Sequence, residues 1–335
     1  MRQLYFLLPG TTKKFACGGL WAELKTLEMA KELCPAAVVT YRQREPDILF
    51  LDDLLKTEAA HRAIFVLCWG FDVAKLAPRL KNFHAIYHAH SSGYGFSLPA
   101  QVPIVTVSRN TLGYWGQRSP HALLYYLPNE ISPQFRNVHQ PRDIDVLVHA
   151  RKSSQYLLQE LVPALEQHCN VFVVRGFIED FAALFNRAKV YLYDSAEYWA
   201  LQKVSEGFGL QPLEAIACGC EVFSSVNGGL SDYLDPGFNS QKIAGYSVEY
   251  DVQRILKAVQ GGQTVSESAV HQLLSEYRRE NILVRLMAIL QDLNGFFDAM
   301  EKEPQTAIAP LTPFRLWQLR TQTLWQKVRK RLLKA

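Results

Sequence analysis

Ser205-Glu206-Gly207-Phe208-Gly209-Leu210-Gln211-Pro212-Leu213-Glu214-Ala215-Ile216-Ala217-Cys218-Gly219 is a loop that runs into a helix. Gly207 and Gly209 allow a tight turn and a close approach of the backbone to a ligand. Pro212 suits the first position of a helix and turns Gln211 away from helical angles. A helix is therefore expected over Pro212–Cys218, with Gly219 ending it. The amides around Gly209–Leu213 would project beside the positive end of the helix dipole, where a phosphate binds readily. Glu214, placed in the first turn, has the acceptor oxygens to take both hydroxyls of a vicinal diol such as a ribose. Glu206 precedes the loop on the same side. Two carboxylates flanking one anion site suit a nucleotide-sugar: one for the ribose, the other for the hydroxyls of the sugar.

Away from this segment, short apolar runs alternate with helical stretches. Leu4–Leu8, Ala37–Tyr41, Asp47–Leu51, Ala63–Cys68, His84–Tyr87 and Pro103–Val107 read as strands, with a helix over Leu20–Leu33. After a proline-marked linker over Pro128–Pro141 the rhythm resumes with strands at Asp145–Val148, Asn170–Val174, Val190–Tyr193 and Glu221–Ser224. Helices are expected at Gln155–Gln167 and Asp180–Arg187, and Val270–Met300 is largely helical. Continuous apolar runs of this length are strands buried on both faces, and interleaved helices imply parallel sheets. The expectation is α/β, with two Rossmann-like doubly wound domains facing a cleft. Residues 1–135 form the first, on the acceptor side. Residues 136–300 form the second, with terminal helices, and 301–335 a linker and basic tail.

The 335 residues are enough for about two domains. With 48% hydrophobic and 20% charged residues, a disordered or fibrous chain is excluded. The net charge of +4 does not announce a nucleic-acid binder. Its distribution is uneven: residues 313–335 hold Arg315, Arg320, Lys327, Arg329, Lys330, Arg331 and Lys334 and no acid, which leaves the remainder at −3. The six cysteines lack zinc-ligand spacing, and most read as small core residues of a cytosolic protein. Met1–Leu8 reads as a first strand rather than a signal peptide, and the longest apolar run, Ala63–Phe71, falls far short of a membrane span.

Glu206 and Glu214, separated as Glu-x7-Glu inside this glycine-rich segment, resemble the signature of family 4 retaining glycosyltransferases of the GT-B fold. Gly207, Phe208, Gly209, Pro212, Ala215 and Gly219 also stand where that family has them. The resemblance implies a metal-independent transfer of sugar from a nucleotide-sugar, with no cofactor and no metal ligands. It implies that the amides of Phe208, Gly209 and Leu210 bind the diphosphate, Glu214 the ribose and Glu206 the donor sugar. The family's basic pair would fall on Arg151 and Lys152. The family usually separates these two by several residues; here they are adjacent, which favours Arg151 and leaves Lys152 nearer the surface. A solvated loop is the plainer account of such a pair.

The family's glycine pair after the first strand is matched by Gly18 and Gly19. Its cleft-facing histidine is matched by His90, with His88 on the same face of the strand; a pair of satisfied edge histidines is the alternative. Ser108 and Asn129 match landmarks of the hinge side. A second departure is the distance between Ser195 and Glu206, which lengthens the intervening segment toward the acceptor.

Asp143-Ile144-Asp145 spells a metal-binding motif of another fold, but no partner ligand accompanies it, and a solvated strand start is expected. In the tail, Trp317, Thr321, Leu324, Trp325, Val328 and Leu332 fall on one helical stripe between cations. That composition fits an interfacial helix on anionic lipid, or equally a helix packed back on the body. The implied partners are a nucleotide-sugar, a glycan or glycolipid acceptor and an anionic membrane surface, with no nucleic acid. The implied location is cytoplasmic, on the inner face of a membrane if the tail binds there. A non-catalytic GT-B-like protein and a nucleotide-sugar epimerase are the rival readings.

Overall fold

The computed structural model describes residues 1–335 except 16, 177, 246, 262–264, 303–311 and 333–335. Met1–Gly295 pack as one compact unit, and Phe296–Ala335 form a second.

The first unit holds two parallel sheets. The larger comprises β1 (Gln3–Leu8), β2 (Ala36–Thr40), β3 (Leu49–Phe50), β4 (Ala63–Leu67), β5 (His84–Ala89), β6 (Ile104–Thr106) and β7 (Leu124–Tyr126), ordered β3-β2-β1-β4-β5-β6-β7. The smaller comprises β8 (Ile144–His149), β9 (Val171–Val174), β10 (Ala188–Tyr193), β11 (Glu221–Ser224) and β12 (Gln241–Lys242), ordered β12-β11-β10-β8-β9. This is the α/β architecture expected from the apolar runs. β1 lies between β2 and β4, with Phe6 opposite Val38 on one side and Val66 on the other. Both its faces are covered: Tyr5 and Leu7 join one core cluster, Leu8 another with Leu20. That double burial is why β1 shows no polar alternation.

In each sheet the chain reverses its direction of travel once, between β1 and β4 and between β8 and β10. Crevices open at the carboxyl ends of strands at such reversals. His88 is the penultimate residue of β5 and His149 the last of β8, so both lie at this rim.

Several elements differ from expectation. Asp47 has φ 60°, and a helix begins at Leu51, so the strand read over Asp47–Leu51 shrinks to Leu49–Phe50. The helix read over Gln155–Gln167 opens as a π-turn over Leu157–Leu161 before Val162–Glu166. Pro163 lacks an amide hydrogen and crowds the preceding turn, which widens it. β7 and β12 are too short to stand out by periodicity.

The linker residues lead back to the carboxyl-terminal helices. Ile131 N–H donates to the Tyr277 carbonyl, and the Arg278 guanidinium donates to the carbonyls of Ile131, Ser132 and Phe135. The helix Arg279–Lys302 returns to the first sheet: Tyr125 OH donates to Asp292, and Arg2 N–H to Asn294. In the second unit, the tail forms a helix over Pro313–Leu332 with Phe314, Trp317 and Trp325 exposed. The side chains at 324 and 327–332 and the residues Pro304, Pro310 and Lys334 lie outside what is described.

Candidate active site

The helix that follows the glycine loop spans Leu210–Ala217, two residues earlier than Pro212 suggests. Gly209 precedes it in the left-handed region, at φ 75°. A Cβ there would lie 2.4 Å from Leu230, so only glycine makes this turn. The turn leaves the amides of Phe208, Gly209 and Leu210 with no acceptor among the described residues. Phe208 itself is buried between Tyr233 and Tyr277, and Tyr233 OH donates to the carbonyls of Phe208 and Gly209. The loop is thereby clamped through its carbonyls.

Glu214 lies one turn deeper than expected. It is 9% exposed, and its carboxylate makes no hydrogen bond among the described residues. Burial pushes its pKa up to about 7, with Lys25 of the helix Gly18–Leu33 pulling the other way. A buried acceptor with no protein partner is a costly feature unless something else supplies the hydrogen bonds.

Glu206 is anchored instead. Its Oε2 accepts from Tyr193 OH at 2.7 Å, from Ser195 Oγ at 2.9 Å and from the Trp199 indole N–H. Burial and the Glu206 carboxylate hold Tyr193 well above the usual phenol range, so it remains a donor. Among the described residues Oε1 carries no hydrogen bond. The segment after Ser195 is not an extended loop: Ala196–Leu201 is a helix that brings Trp199 back onto Glu206. Lys152 Nζ sits 4.4 Å over the Trp199 ring, on a backbone held at φ 72°. Arg151 is exposed and makes no ion pair or hydrogen bond among the described residues. The geometry thus ties Lys152, rather than Arg151, to the Trp199–Glu206 group.

The two sheets meet at this place. Ser91 Oγ donates to the Ser205 carbonyl at 2.5 Å, Ser205 N–H donates to the Ser92 carbonyl at 3.1 Å, and the hydroxyls of Ser92 and Ser205 are 2.5 Å apart. A Cβ on Gly207 would lie 1.6 Å from the His90 carbonyl oxygen. The glycine is required here so that this loop can lie against the His90 carbonyl beyond the first sheet's β5. Ser108 caps the helix Arg109–Arg118 in a capping box with Thr111, and Arg109 N–H donates across to Asp232.

His88 and His90 point the same way, as strand alternation requires, and they share one partner that sequence reasoning missed. Glu23 Oε2 lies 2.7 Å from His88 Nδ1 and 2.5 Å from His90 Nε2. Glu23 stands on the buried stripe of its helix with Leu20, Leu27 and Ala30; an acid on an apolar stripe was the available signal. Gly18 and Gly19 start that helix, both exposed, and a Cβ on Gly18 would meet nothing within 4 Å. Asp143 and Asp145 pair with Arg187 and Lys189, which accounts for them without a metal.

Residues 140–269 match the family model of glycosyl transferases group 1. No curated protein matches the sequence. Among solved structures, Anabaena Alr3699/HepE in complex with UDP and glucose is similar, at TM-score 0.66 and 15% identity, covering 87% of this chain and 100% of that one. Sucrose-phosphate synthase from Thermosynechococcus elongatus is similar at TM-score 0.61 and 14% identity, covering 88% and 100%. The lipopolysaccharide outer core galactosyltransferase WaaB in its apo form follows at TM-score 0.55 and 11% identity, covering 89% and 99%. The chain thus has the GT-B fold of these proteins, and its residues 140–269 carry the sequence pattern of glycosyl transferases group 1.

Proposed function

We propose that this chain transfers a sugar from a nucleotide-sugar donor to an acceptor hydroxyl. The observation that carries the reading is one helix start. Three amides with no acceptor among the described residues, at Phe208, Gly209 and Leu210, stand beside Glu214, a buried carboxylate with no partner among them. A nucleoside diphosphate supplies what both lack: anionic oxygens for the amides and a ribose diol for Glu214. The family match over 140–269, and the UDP and glucose held by the Anabaena protein, support the same reading.

The chemistry assigns each group a task. As the glycosidic bond to phosphate breaks, negative charge grows on the departing diphosphate. The fixed amides and the cations of Lys152 and Arg151 meet it without reorganising. Glu206, with Oε2 held by three donors, presents Oε1 to a hydroxyl of the donor sugar. His90 faces the sugar from the first domain, and Gly18 and Gly19 leave room for the phosphates. The same reading includes retention of anomeric configuration, no metal requirement, and domain boundaries near residues 135 and 300.

The acceptor is a glycan or glycolipid. The exposed Trp317 and Trp325, on a helix with Arg315 and Arg320 and no acid, fit an anionic lipid surface. Among the described residues no helix is long and apolar enough to cross a membrane.

The test is release of nucleoside diphosphate from donors incubated with the purified chain and EDTA, with and without glycan acceptors. Wild type should release it and transfer sugar, and Glu206→Gln should lose transfer while still binding donor. Donor binding with no release by wild type, under any acceptor, would refute transfer and leave a binding protein.

A further inference from the structure

Glu23, His88 and His90 form a polar cluster buried behind the first sheet's β5, and the assigned chemistry uses only His90. Their ligand atoms lie within 4.8 Å of one another, near enough to suggest a metal ion. The distances argue otherwise. Ligands at about 2.0–2.1 Å around a tetrahedral zinc lie roughly 3.3 Å apart, whereas Glu23 Oε2 is 2.5 and 2.7 Å from the two ring nitrogens. The group is closed by hydrogen bonds.

Those bonds have a direction. Burial opposes ionisation of Glu23, but the two histidines overcome it and hold the carboxyl at about 2. An ionised carboxylate only accepts, so His88 Nδ1 and His90 Nε2 both carry the proton. His90 is itself held below the usual histidine range by burial and by His88, against the pull of Glu23. It is therefore neutral near pH 7, and its one proton is committed to Glu23. Nδ1, the other nitrogen, has no partner among the described residues. The side chain is 15% exposed, against 3% for His88, and its backbone carbonyl touches Gly207, next to Glu206.

We propose that Glu23 is a positioning residue that fixes His90 as the Nε2–H tautomer, so that Nδ1 meets the substrate as a hydrogen-bond acceptor. The ligand group at this point is then a sugar hydroxyl that donates, not an acceptor oxygen. This rests on the sugar-transfer reading for the identity of the substrate, and on the cluster alone for the tautomer.

Two readouts separate these. The full chain labelled with ¹⁵N-imidazole reports tautomers directly, and His90→Ala identifies the His90 signals among the nine histidines. Wild type should show Nε2–H at His90, and Glu23→Gln should show a mixture of tautomers. An Nδ1–H wild-type His90, or a Glu23→Gln spectrum unchanged at His90, overturns the proposal.

In transfer assays Glu23→Gln should lower kcat about tenfold. It should also shift the acid limb of the pH profile to lower pH, because the carboxylate that raises the His90 pKa is gone. Glu23 and His88 are the charged or titratable groups that bear on His90, while Glu23 in turn bears on Cys68 and Tyr87. A residue that only packs would leave that limb in place, and an unmoved limb also overturns the proposal. Glu23→Asp keeps the charge and should retain the wild-type limb. If the tautomer is found but no transfer, the substrate reading fails and the tautomer assignment stands.

Discussion

Replacing Glu214 with glutamine should stabilise the protein increasingly as pH rises from about 4.5 to about 7, and fully above that. Folding raises this carboxyl from an ordinary value of 4.5 to about 7 through burial, in a side chain with no hydrogen-bond partner among the described residues. Between these values the unfolded chain has released the proton and the folded chain has not. Stability therefore falls as pH rises from about 4.5 to about 7, and the whole penalty is present above that. At 1.36 kcal/mol per pH unit the penalty is about 3 kcal/mol. Glutamine keeps the shape and carries no charge, so it escapes the penalty. In urea denaturation, wild type and Glu214→Gln should differ little at pH 5, and the variant should be more stable by about 3 kcal/mol at pH 8. Equal differences at both pH values would refute the reasoning, because a shape or packing effect does not titrate. Nucleotide-sugar should reverse the order at pH 8, since it supplies wild type with the hydrogen bonds that Glu214 lacks.

Three further outcomes follow from other contacts. Trp199→Phe removes the indole donor to Glu206 and weakens the hold on Lys152; kcat should fall about tenfold, as expected for one hydrogen bond to a charged group, with donor Kd nearly unchanged by titration calorimetry. Gly207→Ala puts a methyl against the His90 carbonyl, so it should cost about 1–3 kcal/mol and reduce transfer far more than secondary structure by circular dichroism. Trp317→Ser with Trp325→Ser should abolish sedimentation with anionic vesicles while donor-driven nucleotide release in solution persists.

Much of the fold was legible because its strands are buried on both faces. β4 is an unbroken apolar run, as are β1 from Leu4 and β10 from Val190, and runs this short and rich in β-branched and aromatic residues suit buried strands. The glycine loop was legible as well, since Gly209 needs a positive φ and Pro212 cannot lie deep in a helix. What escaped was what only the tertiary fold creates. The role of Gly207 depends on a backbone distant in sequence, at His90. The Trp199 contact with Glu206 depends on the short helix Ala196–Leu201, whose residues include no cap or period strong enough to announce it. Lys152 is less exposed than Arg151, the reverse of what adjacency in sequence suggests, because its side chain lies over Trp199. Glu23 is 65 residues from His88, so only the packing of the first helix on β5 joins them.

The central claim is the donor site at the start of the helix Leu210–Ala217. The most direct measurement is thermal stabilisation of wild type and Glu214→Ala by a panel of nucleotide-sugars with EDTA present. The account predicts that at least one donor raises the melting temperature of wild type at sub-millimolar concentration, and raises that of Glu214→Ala much less. No stabilisation of wild type by any nucleotide or nucleotide-sugar at millimolar concentration, or equal stabilisation of both proteins, would contradict it.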